Sequence, residues 1–136
     1  MGAPKFGVNV VDNVVALMPS ESVRLDSDRL GSLFQQMTAH DAEEMVCRAV
    51  EELAVRLSHC TVLWRQDDVP GLRKSARSII AIAGQIGMST LARVALDVTQ
   101  TVDRADRVAT AAVVLRLERI GEASLNAVWD LQDLSV

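Results

Sequence analysis

Residues 38–66 read TAHDAEEMVCRAVEELAVRLSHCTVLWRQ, and within them Val46, Val50, Leu53, Leu57, Cys60 and Trp64 recur at spacings of four, three, four, three and four. An α-helix turns by about 100° per residue, so these spacings draw a narrow apolar stripe along one side of a long helix. Thr38 with Asp41 three residues on resembles a capping box, with Asp in place of Glu or Gln, and Glu43 and Glu44 suit the positive helix start. Asp67-Asp68 close the helix, and Pro70 fits the first turn of the next one.

Working outward, Leu72, Ala76, Ile79, Ala83 and Ile86 mark the buried face of that next helix, with Ser75 and Ile82 at its edge. Gly87 breaks the pattern, and Ser89 is expected to cap the restart. Leu91, Val94, Val98 and Val102 carry a third stripe, and Asp103 to Asp106 form a charged turn. A last long helix is expected to turn Val113, Leu117, Ile120, Ala127, Val128 and Leu131 inward, with Gly121 as a tolerated weak spot. Four principal helices on short links predict an all-α fold, an antiparallel up-and-down four-helix bundle. Ahead of it, Asp26-Ser27 are good N-cap types for a short amphipathic helix through Leu30, Leu33, Phe34 and Met37, expected to lid the bundle. Residues 1–25 combine apolar alternation in Phe6-Gly7-Val8-Asn9-Val10 with a helical turn through Val14, Leu17 and Met18 stopped by Pro19, and are read as an arm whose structure stays open. The chain thus divides into an arm, 1–25, and one bundle domain, 26–136, with no internal repeat or linker in the latter.

Composition agrees with one packed helical domain in a chain of 136 residues. Hydrophobic residues make up 49% but aromatics only 3%, so Ala, Val, Leu, Ile and Met must build the core. The net charge of -4 argues against a nucleic-acid partner, which needs clustered positive charge. Cys47 and Cys60 fall on different faces of one helix and cannot bridge each other there. Without a secretion signal or a membrane-length apolar run, the chain is expected to be cytoplasmic, with reduced thiols and no membrane partner.

His40 and His59 are the only histidines, and with no HExxH or CxxC pair a metal site is not expected. The seven glycines are scattered and include no GxxxxGK[ST] loop, so no nucleotide or other cofactor is expected. No G-x-S-x-G signature points to nucleophilic hydrolysis. What stands out is the face opposite Ile79, where helical spacing aligns Lys74, Arg77, Ala81 and Gly84. Two readings stand side by side: a solvated face carrying cations for solubility, or a shallow strip on which a partner approaches the backbone closely and its acids meet the cations.

The segment from Leu72 to Val98 resembles the core of histidine-containing phosphotransfer (HPt) domains, whose signature is a histidine, any residue, Leu, Lys and Gly, followed by a helix-ending glycine. The matching residues are Arg77-Ser78-Ile79-Ile80-Ala81, with Gly87 ten residues after Arg77 and Leu91 also in pattern. In this register Arg77 occupies the phospho-accepting position, Ile79 matches the buried Leu, Ile80 replaces Lys and Ala81 replaces Gly. Helix order and spacing extend the resemblance over roughly residues 28–134. It implies a protein partner, a response-regulator receiver domain or a sensor kinase, bound through Lys74, Arg77, Ile80, Ala81 and Gly84. Relay chemistry needs an imidazole nitrogen, and a permanently protonated guanidinium cannot act as that nucleophile. It binds carboxylate or phosphorylated aspartate in a fork of charge-assisted hydrogen bonds. The expectation is therefore a non-catalytic HPt-like adaptor that modulates a phosphorelay.

Two alternatives accompany it. His59 lies opposite the Leu53-Leu57 stripe with Val55 and Val62 beside it, and an active phosphotransfer protein would use His59 as phospho-acceptor. Val55 and Val62 could equally form the shared face of a homodimer, making the chain an oligomerisation module. His40, in the first turn of its helix, is read as capping or exposed, and Trp64 and Trp129 as core or edge anchors.

Overall fold

The computed structural model describes the backbone of residues 5–11 and 14–134 and the side chains of residues 21–130. Two strands, β1 (Lys5–Val11) and β2 (Val14–Ser20), precede five helices: α1 (Ser27–Gln36), α2 (Ala39–Arg65), α3 (Val69–Gln85), α4 (Ser89–Asp103) and α5 (Arg107–Leu134). From Ser27 onward the described chain is helical, and α2 packs on α3, α3 on α4, α4 on α5, and α5 back on α2. The four long helices therefore close a ring around one core. Leu53, Leu72, Ile79, Ile86, Met88, Leu91, Leu117 and Ile120 are all but sealed from solvent, the aliphatic interior that the composition required.

The arm departs from expectation. Residues 14–20, read as containing a helical turn, form β2 and pair antiparallel with β1 in a register running from Lys5↔Ser20 to Val11↔Val14. Three apolar positions are too few to nucleate a helix, whereas the β-branched pair Val14-Val15 lies within reach of a strand only a few residues away. Pro19 opposes Phe6 in this ribbon, which it can do because both strands of a two-stranded sheet are edges.

Residues 21–26, outside regular structure, are tied down by side-chain bonds. The Glu21 carboxylate accepts from Arg116 Nε at 3.1 and 3.2 Å, and Arg116 also reaches Asp97 at 3.5 Å. The Arg24 N–H donates to Thr90 Oγ1 at 2.7 Å, and its carbonyl accepts from Ser89 Oγ at 3.1 Å. Ser89 is thus not the cap of α4: Met88 holds that position without a side-chain bond, and the serine hydroxyl holds the incoming segment instead. Val23 and Leu25 pack against the core.

All three turns between the long helices share one construction. The second residue after the helix end lies in the left-handed region, Asp67 at φ 58°, Gly87 at φ 77° and Ala105 at φ 53°. The next residue's N–H reaches back to the carbonyl five positions earlier, Asp68 to Leu63, Met88 to Ala83 and Asp106 to Thr101. This is the Schellman closure, which satisfies carbonyls that a helix end leaves open. Asp68 and Asp106 then cap the following helices, accepting from the N–H groups of Gly71 and Ala109. At the start of α2 Thr38 accepts from the Asp41 N–H at 3.2 Å, the forward half of the expected capping box.

On α5 the inward residue is Val114, 3% exposed, with Val113 half-buried at the edge. Ala127 is half-buried beside buried Val128, and the side chain of Leu131 lies outside the described residues. Gly121 is not a weak spot. It is buried against Leu57 of α2, and a Cβ there would sit 2.7 Å from Leu57 Cδ1. The absence of a side chain sets how closely α5 approaches α2.

Cys47 and Cys60 are both free thiols, the first half-buried and the second buried. Burial pushes the Cys60 thiol up from its ordinary value, against smaller opposing effects of the Ser75 hydrogen bond and the Arg56 charge. A raised thiol value means that the neutral form supports the fold, and that this contribution is lost as pH rises through the folded-state value. A disulfide reagent at pH 8 should therefore label Cys47 in the native protein and Cys60 only on unfolding. Equal native rates for both thiols would contradict this packing. Among the described residues no helix is long and apolar enough to cross a membrane.

Candidate functional site

Helix α3 begins under an Asp68 cap with Pro70 in its first turn, and its five-residue stripe from Leu72 to Ile86 is wholly enclosed. Burying that face locks the rotation of the helix, so the opposite face is presented to solvent. Lys74, Arg77, Ala81 and Gly84 are all exposed there. Pro70, Arg73, Lys74, Arg77, Ser78 and Ala81 line a shallow depression of about 520 Å³. Gly84, one turn beyond, has open space where a Cβ would stand. Ile80 differs from the other four: it is half-buried and packs against the core, because it lies about 80° from the stripe, nearer the neighbouring helix than solvent.

Charge is segregated on this helix. Val69–Gln85 contains Arg73, Lys74 and Arg77 and no acid, in a chain with 18 acidic and 14 basic residues. A carboxylate reaches it from α4. Asp103 receives a bidentate pair of hydrogen bonds from Arg73, Nε to Oδ1 at 2.7 Å and Nη2 to Oδ2 at 3.1 Å. Those bonds hold the Asp103 carboxyl below its ordinary value, and the charges of Arg73 and Arg77 add to the effect. A depressed carboxyl contributes stability above the unfolded value and loses it only as pH falls through the folded one, so this latch persists into acid. The same bonds push the Arg73 guanidinium value up. Lys74 and Arg77 have no carboxylate partner among the described residues. Ser78 donates its hydroxyl proton to the Lys74 carbonyl at 3.3 Å, which leaves cation N–H groups as the donors facing the depression.

The sequence singled out neither Arg73 nor Asp103. Arg73 falls between the two faces at helical spacing, and its partner lies 30 positions away on another helix. The other candidates stand apart from this face. His59 is exposed on α2 beside Val55 and Val62, which are 56% and 46% exposed. His40 is exposed, with Nε2 3.6 Å from Glu44 Oε1 one turn on. Trp64 is half-buried under the Arg107 guanidinium, 5.4 Å from the ring centroid, and Arg107 also pairs with Asp67 at 2.7 Å. Trp129 is 47% exposed. Among the described residues no three His, Cys, Asp or Glu side chains cluster as metal ligands.

Chemically, the α3 face offers fixed cations, small side chains and little relief. Exposed cations on such a face favour contact with negative charge. Comparison with protein-family models, with curated proteins and with solved structures finds no match to this chain.

Proposed function

We propose that this chain is an HPt-like adaptor without phosphotransfer chemistry, an antiparallel up-and-down four-helix bundle whose α3 face docks a receiver domain or sensor kinase and modulates phosphoryl flow. The observation that supports it is the exposed Arg77, set among Lys74, Ala81 and Gly84 on a helix without acids. It stands at the position that the HPt resemblance gives to the relay histidine. A guanidinium there supplies a permanent charge, where Ile80 has replaced the signature's lysine, and removes the nucleophile. The adaptor would occupy the partner's acidic surface and pass nothing on.

Titration calorimetry against a panel of receiver domains and kinase dimerisation domains tests the proposal. At least one should bind, more weakly as ionic strength rises, because exposed charges are screened. Arg77→Glu should weaken that binding by about tenfold or more, the equivalent of ~1.4 kcal/mol. Unchanged affinity in a Lys74→Glu, Arg77→Glu double variant would sink the α3 face as the docking surface. The same proteins decide between the other readings. Phosphate transferred to the chain in an acid-labile, base-stable form, and lost in His59→Ala, would make it an active phosphotransfer protein. An oligomer dispersed by Val55→Asp, with no receiver or kinase bound, would make it an oligomerisation module.

A further inference from the structure

We infer that β1 is an interface strand whose outer edge pairs antiparallel with β1 of a second copy of this chain, joining two β1–β2 ribbons into one four-stranded sheet. The inference goes beyond the adaptor reading and is independent of the α3 face, because it rests on backbone groups near the start of the chain. Among the described residues β1 and β2 form a sheet of two strands, so each strand has one edge without a neighbour. A lone two-stranded hairpin is marginally stable in water, and three or more strands hold far better. An unpaired edge is a template for another strand.

Pro19 fixes which backbone groups face that edge. Pairs along an antiparallel ladder alternate between bonded pairs, which exchange both N–H···O bonds, and open pairs, whose N–H and C=O groups point away from the partner strand. Pro19 opposes Phe6, and a residue without an N–H cannot exchange both bonds, so this pair is open. By alternation Val8–Leu17 and Val10–Val15 are open as well. The outer edge of β1 therefore presents the N–H and C=O groups of Phe6, Val8 and Val10, a complete set. The outer edge of β2 lacks the Pro19 donor, and proline is one of the devices that blunt an edge.

The strand that fits this edge is β1 itself. Lys5–Val11 has seven residues centred on Val8. Two copies running antiparallel about that centre place Val8 opposite Val8 of the partner subunit and Phe6 opposite Val10 in both halves. Each of these pairs joins two outward positions and exchanges two backbone hydrogen bonds, so every group on both edges is used. A slip of one residue would set outward groups against groups already bonded within a ribbon, and the ladder would be lost. An aromatic residue facing a β-branched one is a favourable cross-strand pair. Lys5 is the only charge in β1, and the two-fold sends the two copies of it to opposite ends of the new ladder, where they do not repel. Such an interface is isologous and closes on itself: both β1 edges are consumed and the blunted β2 edges lie outermost. Glu21, the residue after β2, is held by Arg116 of α5, so the shared sheet ties two bundles together.

Sedimentation equilibrium of the full chain over a wide concentration range should show the mass of two chains at the upper end, falling toward one on dilution. Amide hydrogen exchange on the same samples reads the edge directly: the N–H groups of Phe6, Val8 and Val10 should be protected in the dimer and exchange freely on dilution. Val8→Pro removes a central outward donor and no bond of the β1–β2 ladder, so it should raise the dimer dissociation constant by about tenfold or more. Val8→Lys is the second variant, since it keeps the N–H and sets two ammonium groups directly opposite each other at the two-fold. It should disperse the dimer at low salt, with partial recovery as ionic strength rises. The mass of one chain at every concentration, or a dimer whose Phe6, Val8 and Val10 amides exchange freely, overturns the inference. So does a dimer that survives both Val8 variants and is dispersed by Val55→Asp, which would move the contact to α2. Receiver binding at α3 enters none of these outcomes, so the adaptor reading stands or falls separately.

Discussion

Ile79→Ala is expected to lower the unfolding free energy by about 3 to 4 kcal/mol, within the range for emptying a large aliphatic site in a core that cannot collapse around it. Ile79 is 0% exposed at the centre of the α3 stripe, and α3 packs on both α2 and α4. The loss combines the transfer of its methyl and methylene groups to water with the cavity left behind. Ala81→Gln, two residues on and turned to solvent, should change stability by no more than about 0.5 kcal/mol. Urea denaturation reads both as midpoint shifts at constant slope. A cost below about 1 kcal/mol for Ile79→Ala would mean that α3 does not turn this face inward, and the exposed cationic face would lose its structural basis.

The second large effect is expected at Gly87, where alanine should cost on the order of 3 kcal/mol. Left-handed backbone alone does not account for it, because Asp67 and Ala105 adopt the same region at the two equivalent turns. What differs is the neighbour. A Cβ on Gly87 would stand 2.7 Å from the Asp26 carbonyl oxygen, and the Asp26 N–H donates to the Gly87 carbonyl at 2.6 Å. Backbone on both sides leaves no flexible side chain to yield. Asp26 also caps α1, accepting from the Arg29 N–H at 3.0 Å, so the clash should loosen α1 together with residues 21–26. Native-state hydrogen exchange at Asp26 and Arg29 would register that local opening ahead of global unfolding. If Gly87→Ala costs no more than about 1 kcal/mol, the ordinary strain of an alanine in that conformation, the contact with Asp26 is not the constraint described.

The helices and their buried faces were legible because a helix repeats its inward direction every three to four residues, and that repeat is written into consecutive residues. Leu72, Ala76, Ile79, Ala83 and Ile86 could be assigned inward from spacing alone, and all are sealed. Lys74, Arg77, Ala81 and Gly84 could be placed on the opposite face for the same reason. Where neighbouring apolar residues compete, spacing decides less: Val113 and Val114 differ by one residue, and the approach of α4 and α2 to α5 chose Val114. The β1–β2 ribbon escaped because a strand's pairing partner is chosen by register, and a three-residue apolar coincidence can mimic a helical turn.

By itself, then, the sequence determined the helices, most of their inward residues and the outward Lys74 and Arg77 of α3, since each follows from local periodicity and burial of apolar surface. The tertiary structure alone decided which distant groups meet. It set Arg73 on Asp103 across 30 positions and Glu21 on Arg116 across 95. It also seated Gly121 against Leu57 and Gly87 against Asp26. Such pairings depend on how far apart and at what rotation whole helices pack, and no spacing within one helix encodes that. On the α3 face, local spacing exposes Lys74 and Arg77, while packing of α4 beside α3 brings Asp103 to half-buried Arg73 between the faces.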